Sequence, residues 1–273
     1  MKELVKIVIP TYKRAGKVTT HKVVANCSLV VREEEYEAYR KAYPDMEIFK
    51  IPKGEIQNGI ADTREWIMRN VNNGNVFMLD DDVTTFVRAY NPGQYDELMF
   101  TNPDVIHESH VDPQTIYDVI QADAHLAKQM GCYLFGFTVA SNPRDCPPQL
   151  PYRVNGMISG GAFGVLRGEP GCKIEIPYHE PGVALCEDYY VMLINAYYHR
   201  FCLINYRFCE MSTTFRNVGG LSEYRSTEGE KEAYLYLKRK FGSAVRRKGQ
   251  GYTNEGKPRK ASSPYERVLN LPF

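Results

Sequence analysis

The sequence predicts an α/β fold with a mostly parallel, buried central sheet flanked by helices. Within the first 90 residues, short apolar runs alternate with stretches of helical spacing, and the fourth run ends abruptly in three consecutive aspartates. Strands that alternate with helices of about 10–15 residues are typical of βαβ units, and unbroken apolar runs are typical of parallel strands buried on both faces. The length of 273 residues is ample for one domain of this kind.

The first half of the chain supplies the clearest elements. Pro10 ends the first apolar run, Gly54 follows the third, and Gly74 follows the second helical pattern, so turn residues separate the predicted elements. The apolar runs predict strands over residues 5–9, 28–31, 47–51 and 76–79, and the helical patterns predict helices over 32–43 and 59–72.

The second half is less regular. A long helix is predicted over residues 112–130, with Asp112 as its N-cap, Pro113 in its first turn and Gly131 after its end. Shorter patterns predict strands over 132–139, 162–166, 201–204 and 207–211, a helix over 186–198, and a charged helix that ends near residue 241. Together these elements predict one α/β domain.

Charge is distributed unevenly along the chain. The whole chain carries +1, whereas residues 238–273 contain ten Lys or Arg and two Asp or Glu, a balance of +8 that leaves −7 for residues 1–237. Residues 249–273 are rich in Gly, Lys, Pro and Ser, a composition typical of a flexible tail. The asymmetry predicts a basic segment that binds a polyanion. A solvated surface helix followed by a frayed tail would explain the same charges.

Composition argues against several classes of protein. No apolar run approaches the roughly 18 residues needed to span a bilayer, and the N-terminus lacks the apolar stretch of a signal peptide. The seven cysteines are odd in number and scattered, with no Cys-x-x-Cys pair, which argues against a disulfide framework and a zinc ribbon. We therefore expect a cytoplasmic protein with no membrane partner.

Asp80, Asp81 and Asp82 form the most informative motif. Adjacent carboxylates repel one another unless a cation is present, and ligands bind at the carboxyl ends of the strands in open α/β sheets. Because alternate residues leaving a strand point the same way, Asp80 and Asp82 are expected to converge while Asp81 points aside. Oxygen ligands suit Mg²⁺ or Mn²⁺, which substrate phosphates usually share. The alternative is an acidic turn with a helix cap.

Several short motifs, in this order, resemble a known family. They are KIVIPTYKR (6–14), GIADTR (59–64), VFMLDDD (76–82), ISGGAFG (158–164), Glu187-Asp188 and GGLSEYR (219–225). The first three look like the nucleotide-sugar-binding half of a GT-A glycosyltransferase. The whole set most resembles the phage glycosyltransferases associated with base-oxidising dioxygenases, and the resemblance covers about residues 5–240.

The resemblance implies a GT-A-like fold with a nucleotide-sugar-binding half over 1–90 and an acceptor-binding half over 91–248, which the basic flexible tail predicted from composition follows over 249–273. It implies a hexosyl- or pentosyltransferase that uses a nucleotide-sugar, expected to be a UDP-sugar, with Mn²⁺ or Mg²⁺. The acceptor would be 5-hydroxymethylcytosine or a related hydroxymethylpyrimidine in phage DNA. The charge of residues 238–273 predicts that this segment binds the DNA. The place of action would be the cytoplasm of the infected host.

Donor-site roles are carried over from the family position by position. Tyr12 would stack on the nucleotide base, Asp80 would contact the ribose or the water shell of the metal, and Asp82 would bind the metal directly. For Arg14 and Arg64, which would reach the nucleotide, the alternative is a surface salt bridge. The implied nucleotide-sugar-binding set is Pro10, Thr11, Tyr12, Arg14, Arg64, Asp80 and Asp81, and the implied metal ligands are Asp80 and Asp82.

Acceptor-site roles follow in the same way. Asp188, with Glu187 beside it, would be the general base that takes the proton of the acceptor hydroxyl. The alternative is that these acids only stabilise the helix by interacting with the dipole at its N-terminus. The glycine pair at 160–161 would allow the acceptor to approach the backbone closely, and the pair at 219–220 would act as a hinge for a loop that covers the donor. The alternatives are a tight turn between strands and an ordinary strand-to-helix connection. The implied acceptor-binding set is Gly160, Gly161, Gly219, Gly220, Tyr224 and Arg225.

One feature departs from the family pattern. Many GT-A enzymes take a further metal ligand from a histidine late in the chain, whereas the last histidine here is His199. His179, His199 or water would take that place, or the aspartates would hold the metal alone, so no histidine is assigned to it. The competing hypotheses are a glycosyltransferase with a polysaccharide, lipid or protein acceptor, a metal-dependent nuclease or phosphotransferase, and a non-catalytic nucleic-acid-binding module.

Overall fold

The computed structural model describes residues 2–88, 111–139, 150–212, 226–248 and 265–271. In chain order, the strands of these ranges are β1 (Lys6–Pro10), β2 (Cys27–Arg32), β3 (Ile48–Ile51), β4 (Asn75–Leu79), β5 (Val83–Arg88), β6 (Leu134–Thr138), β7 (Tyr152–Arg153), β8 (Ile158–Leu166), β9 (Leu203–Asn205), β10 (Phe208–Ser212), β11 (Val245–Arg247) and β12 (Arg267–Leu269). The helices are α1 (Tyr36–Ala42), α2 (Ile60–Asn70), α3 (Pro113–Gln129), α4 (Glu187–Tyr198) and α5 (Thr227–Phe241).

The central sheet has the order β3-β2-β1-β4-β8-β6-β9-β7. Strands β1 to β4 pair in parallel, as do β6 and β9, whereas β8 and β7 run antiparallel to their neighbours. Six of the eight strands of this sheet therefore point the same way. The predicted fold class, an α/β domain with a mostly parallel central sheet flanked by helices, is confirmed.

Helices cover both faces of this sheet. Val8, Val76 and Met78 point into an apolar cluster that also contains residues of α2, α4 and α5. Ile7 and Phe77, which alternate with them, point into a second cluster that contains residues of α1 and α3. Because successive strand residues face opposite sides, strands buried on both faces need apolar residues at every position. This requirement explains the unbroken apolar runs of the sequence.

Several predicted boundaries are close to the observed ones. The carboxylate of Asp112 accepts hydrogen bonds from the backbone N–H groups of Gln114 and Thr115, which makes it the N-cap of α3 as expected. Gly131 follows α3 with a φ of +72°, in the left-handed region that favours glycine. The first helix is shorter than predicted, because residues 33–35 form a separate 3₁₀ turn before α1.

Other elements differ from the expectation. Strand β8 begins at Ile158, so Gly160 and Gly161 lie inside a strand and do not form a turn. The aspartate cluster lies in a tight turn between β4 and β5, without the helix that an N-cap would require. Strand β5 pairs antiparallel with β10 in a second, two-stranded sheet. Neither β5 nor this sheet is predicted by the sequence patterns.

The end of the chain also differs from the predicted flexible tail. Strand β12 pairs antiparallel with β11, and Arg267 within it is buried. The prediction of a flexible tail is therefore wrong for these residues, whereas 249–264 lie outside the described residues. None of the helices in the described ranges is long and apolar enough to cross a membrane.

Candidate active site

The turn after β4 places Asp80 at the carboxyl end of the central sheet. Its backbone N–H donates to the carbonyl of Gly161 at 2.9 Å, which continues the pairing of β4 with β8. Its side chain is 45% exposed and is in an ion pair with Arg64 at 2.8 Å. Asp80 therefore presents a carboxylate at the edge of the sheet where the sequence predicts the donor site.

Asp81 points away from Asp80 and into the protein. Its buried carboxylate accepts a hydrogen bond from the Thr11 hydroxyl at 2.6 Å and forms a short ion pair with Arg14. Burial raises the pKa of Asp81 to about 6. The Tyr39 hydroxyl joins this network, because it lies 3.0 Å from the Thr11 hydroxyl and accepts from the backbone N–H of Arg14 at 2.8 Å. Asp81 thus fixes the loop after β1.

This network changes the interpretation of the predicted base pocket. Pro10 and Thr11 are buried, and Thr11 is bonded to Asp81. The ring of Tyr12, predicted to stack on a base, has the guanidinium of Arg32 3.9 Å from its centroid. Arg14, predicted to reach the nucleotide, pairs with Asp81 and lies 3.6 Å from Asp82. Three of the predicted donor contacts are therefore engaged with other parts of the protein.

Arg64 connects the two acidic motifs of the sequence. Its side chain is 3% exposed, and it donates to Asp80, to Glu187 and to the carbonyl of Gly160, each at 2.8 Å. The guanidinium also lies 5.0 Å from the ring centroid of Phe163. Because Arg64 bonds to these partners, it orients the two carboxylates, and its predicted contact with the nucleotide stays a prediction.

Glu187 and Asp188 open α4 but face different surroundings. Glu187 is buried against Arg64, and burial raises its pKa although Arg64 opposes the shift. Asp188 is partly exposed, and a Cβ atom added to Gly160 would lie 2.7 Å from its Oδ2 atom. A Cβ atom on Gly161 would similarly lie 3.1 Å from Oδ2 of Asp80. The two glycines therefore leave room for the carboxylates of Asp188 and Asp80.

Glu210, on β10, is an acidic residue of this site that sequence reasoning missed. Its carboxylate accepts a short hydrogen bond from Ser159, the residue before Gly160. A Cβ atom on Gly161 would lie 3.6 Å from its Oε1 atom, and burial raises its pKa to about 7. In the sequence, Glu210 is a single acidic residue within an apolar strand pattern. Such a pattern does not show whether the side chain points toward the site.

The candidate metal ligands are Asp80 and Asp82. Within the described parts of the chain, no three His, Cys, Asp or Glu side chains come together to form a metal-binding group. The two histidines considered as further ligands are engaged elsewhere, since Nδ1 of His179 is 3.0 Å from Asp62 and Nε2 of His199 accepts from the backbone of Lys173. Two carboxylates completed by substrate phosphates and water are a usual arrangement for Mg²⁺, so the donor set fits such an ion.

Four of the predicted acceptor residues fall in the part of the chain between the described ranges 150–212 and 226–248. Gly219, Gly220, Tyr224 and Arg225 lie outside the described residues. The described ranges bring eight residues together in one site, from α2, α4, β8, β10 and the turn after β4. They are Asp80, Arg64, Gly160, Gly161, Glu187, Asp188, Ser159 and Glu210.

The chain is similar to characterised proteins along most of its length. A family model described as TET-Associated Glycosyltransferase matches residues 5–220. A protein of Enterobacteria phage T6 named Beta-glucosyl-HMC-alpha-glucosyl-transferase is 28% identical over 253 residues, with 89% of this chain and 83% of the relative covered. The protein of the same name from Enterobacteria phage T2 is 27% identical with the same coverage.

A solved structure is also similar. Residues 1–349 of S. aureus TarS, solved in complex with UDP, match at a TM-score of 0.41 and 9% identity, covering 86% of this chain and 65% of the TarS chain. The family model itself covers well over half of the present sequence. The protein therefore belongs to the TET-associated glycosyltransferase family and is a glycosyltransferase.

Proposed function

We propose that this enzyme transfers a sugar from a UDP-sugar to a hydroxyl group on a modified pyrimidine in DNA, with 5-hydroxymethylcytosine or a related hydroxymethylpyrimidine as the base. The observation that carries the proposal is the convergence of Asp80 and Asp188 on Gly160 and Gly161. This arrangement offers one carboxylate to the donor and another to the acceptor. The HMC in the name of the T6 and T2 relatives supports a modified base.

The acceptor is tested by transfer to defined DNA. The purified protein is incubated with Mn²⁺, a panel of nucleotide-sugars and duplexes that carry cytosine, hydroxymethylcytosine or glucosylated hydroxymethylcytosine, and the nucleosides are weighed after digestion. We expect one added sugar on a modified base and none on cytosine. The glucosylated duplex is included because the relatives' name begins with beta-glucosyl-HMC. Transfer only to a polysaccharide, lipid or protein acceptor would contradict the proposal.

For the donor, we propose that Asp80 and Asp82 hold a divalent cation together with the diphosphate. Such a cation supplies charge neutralisation for the diphosphate leaving group. Asp82 is 18% exposed, which leaves its carboxylate accessible beside Arg14. The chemical support is a donor set made only of carboxylate oxygens.

Calorimetry tests this metal assignment. UDP should bind the unmutated protein more tightly with Mn²⁺ than without it, and Asp82→Ala should remove that difference. Asp118→Asn, an exposed acid on α3, is the matched control. Equal UDP affinity with and without Mn²⁺ in the unmutated protein would show that the assignment is wrong.

For the acceptor, we propose that Asp188 takes the proton of the attacking hydroxyl. Glu187 is a positioning residue in this proposal, because its carboxylate is buried against Arg64. Loss of a general base typically lowers turnover by about 10²–10⁴-fold. Asp188→Asn should therefore lower turnover by this order while UDP-sugar affinity stays within about twofold. A loss confined to binding, or a product with retained anomeric configuration, would remove Asp188 from this role.

For DNA, we propose that the exposed cations at the end of α5 and on β11 bind the phosphate backbone. Arg239, Arg246 and Arg247 are exposed, whereas Lys248 pairs with Glu266. Strand β11 pairs with β12, and Arg267 of β12 donates to the carbonyl of Leu185 just before α4. The proposed DNA-binding cations thus belong to elements that pack against the start of the helix carrying Asp188.

A further inference from the structure

Glu210 is held in one orientation by a short chain of hydrogen bonds. The backbone N–H of Gly161 donates to the Ser159 hydroxyl at 3.3 Å, and that hydroxyl donates to Oε1 of Glu210. Strand β10 is fixed in turn by pairing with β5, where Glu210 lies opposite Phe86. The carboxylate of Glu210 is therefore positioned beside β8, although it belongs to a different sheet.

The carboxylate of Glu210 lacks the partners that a buried structural acid usually has. Oε2 of Glu210 is shielded from solvent and has no hydrogen-bond partner, and among the described residues no ion pair involves this side chain. Asp80, another carboxylate, lies across the same glycine, since a Cβ atom on Gly161 would be 3.1 Å from Asp80 and 3.6 Å from Glu210. A buried acceptor without a partner usually has a functional explanation.

We propose that Glu210 binds the donor sugar by accepting a hydrogen bond from one of its hydroxyl groups. The inference rests on the proposed function and adds a sugar-binding residue to it. Hydroxyl groups are natural donors to a carboxylate oxygen that lacks a partner. The carboxylates of Asp80 and Glu210 both lie against Gly161, so a sugar joined to a diphosphate at Asp80 would begin within reach of Glu210.

The position of Glu210 favours the donor sugar over the acceptor. Asp188, the proposed acceptor base, lies against Gly160, whereas Glu210 and Asp80 lie against Gly161. Glu210 is therefore the direct neighbour of Asp80, where the donor diphosphate is proposed.

The test compares the affinity for UDP with that for UDP-glucose, both measured by calorimetry in Mn²⁺. Glu210→Gln keeps the size of the side chain but replaces one acceptor oxygen with a donor. We expect it to bind UDP-glucose about tenfold more weakly, the effect of losing one hydrogen bond to a charged group, and UDP within about twofold. Ser159→Ala, which removes the hydrogen bond that holds the Glu210 carboxylate, should also weaken UDP-glucose binding more than UDP binding.

The control is Glu169→Gln, which alters an acid paired with Lys128 in the turn after β8. It should leave both affinities unchanged. Equal losses for UDP and UDP-glucose in Glu210→Gln would identify a role in metal or diphosphate binding and overturn the inference, as would no loss at all. If the unmutated protein binds neither compound, the proposed function fails and this inference fails with it.

Discussion

At the scale of single residues, the site depends on one buried cation. Arg64 is 16 positions from Asp80 and 123 from Glu187 in the sequence, yet it donates to both carboxylates at 2.8 Å. Removing one partner of a buried ion pair typically costs about 3–5 kcal/mol, because it leaves an uncompensated charge. Arg64 thus fixes the geometry of Asp80 and Glu187.

The glycines of β8 allow a prediction at the same scale. Gly160→Ala would place a Cβ atom 2.7 Å from Oδ2 of Asp188 and displace that carboxylate. A displacement of about 1 Å at a reacting group costs up to about 10²-fold in rate. We therefore expect steady-state assays to show turnover lowered by about 10- to 100-fold with little change in UDP affinity.

Gly161→Ala is the matched comparison. Its Cβ atom would approach Asp80 at 3.1 Å instead of Asp188, so we expect Mn²⁺-dependent UDP binding to weaken more than turnover at saturating donor. Indistinguishable effects of the two substitutions would show that Asp80 and Asp188 do not have separate roles.

At the scale of elements, prediction succeeded where the pattern is continuous and local. The apolar runs that become β1, β2 and β4 are buried on both faces, so periodicity alone identifies them. Strand β5 was missed because Thr84 and Thr85 interrupt its apolar pattern, and its stability comes from pairing with β10 more than 100 positions away. Glu210 was missed for the same reason, since only this long-range pairing brings it to Ser159.

The C-terminal strand illustrates how tertiary contacts override composition. Residues 265–271 follow a stretch rich in Gly, Lys and Ser, yet Arg267 is buried and donates to the carbonyl of Leu185 at 2.7 Å. It also pairs with Glu230 of α5 at 3.2 Å, and its guanidinium lies over the ring of Tyr189. Strand β12 therefore connects α5 with the start of α4.

These contacts lead to a prediction about the stability of this region. Arg267→Met removes hydrogen bonds from a charged donor, and we expect the free energy of unfolding, measured in urea, to fall by about 2 kcal/mol. Arg247→Met, at the exposed position paired with Arg267 across the two strands, should change it by less than about 0.5 kcal/mol. Equal effects would mean that the contacts of Arg267 contribute nothing specific.

At the scale of the whole molecule, stability should depend on pH through Asp123. This buried residue accepts hydrogen bonds from Tyr152 and Asn205, and burial raises its pKa from 3.8 to about 6. The folded state then holds the proton more tightly than the unfolded chain, so this contribution is greatest below pH 4 and is lost as the pH rises to 6. The pKa difference between the unfolded and folded states corresponds to about 3 kcal/mol in the free energy of unfolding.

Urea denaturation at intervals from pH 4 to pH 7 measures this contribution. In Asp123→Asn the group cannot titrate, so the free energy of unfolding of the variant should rise relative to the unmutated protein as the pH increases through this range. Asp118→Asn, on the exposed side of the same helix, should follow the unmutated protein. Parallel curves for Asp123→Asn and the unmutated protein would contradict the raised pKa.

The uneven charge of the molecule leads to the last prediction, which concerns DNA. Residues 238–273 carry +8 in a chain of net charge +1, and of these residues Arg246 and Arg247 are exposed on β11. Deleting the chain after residue 241 would also remove β12 and the contacts of Arg267, so substitutions are the sharper test. Each cation that neutralises a phosphate contributes about 0.9 to the slope of log affinity against log salt.

The double substitution Arg246→Ala and Arg247→Ala should therefore weaken binding of a hydroxymethylated duplex at low salt and make this slope shallower by nearly 2, as measured by fluorescence anisotropy between about 50 and 200 mM salt. UDP affinity should not change, because both side chains lie outside the carboxylate site. Lys41→Ala, on α1, controls for loss of an exposed cation elsewhere. A slope equal to that of the unmutated protein would exclude these two arginines from the DNA interface and return β11 to a structural role, since phosphate contacts cannot be lost without a change in counterion release.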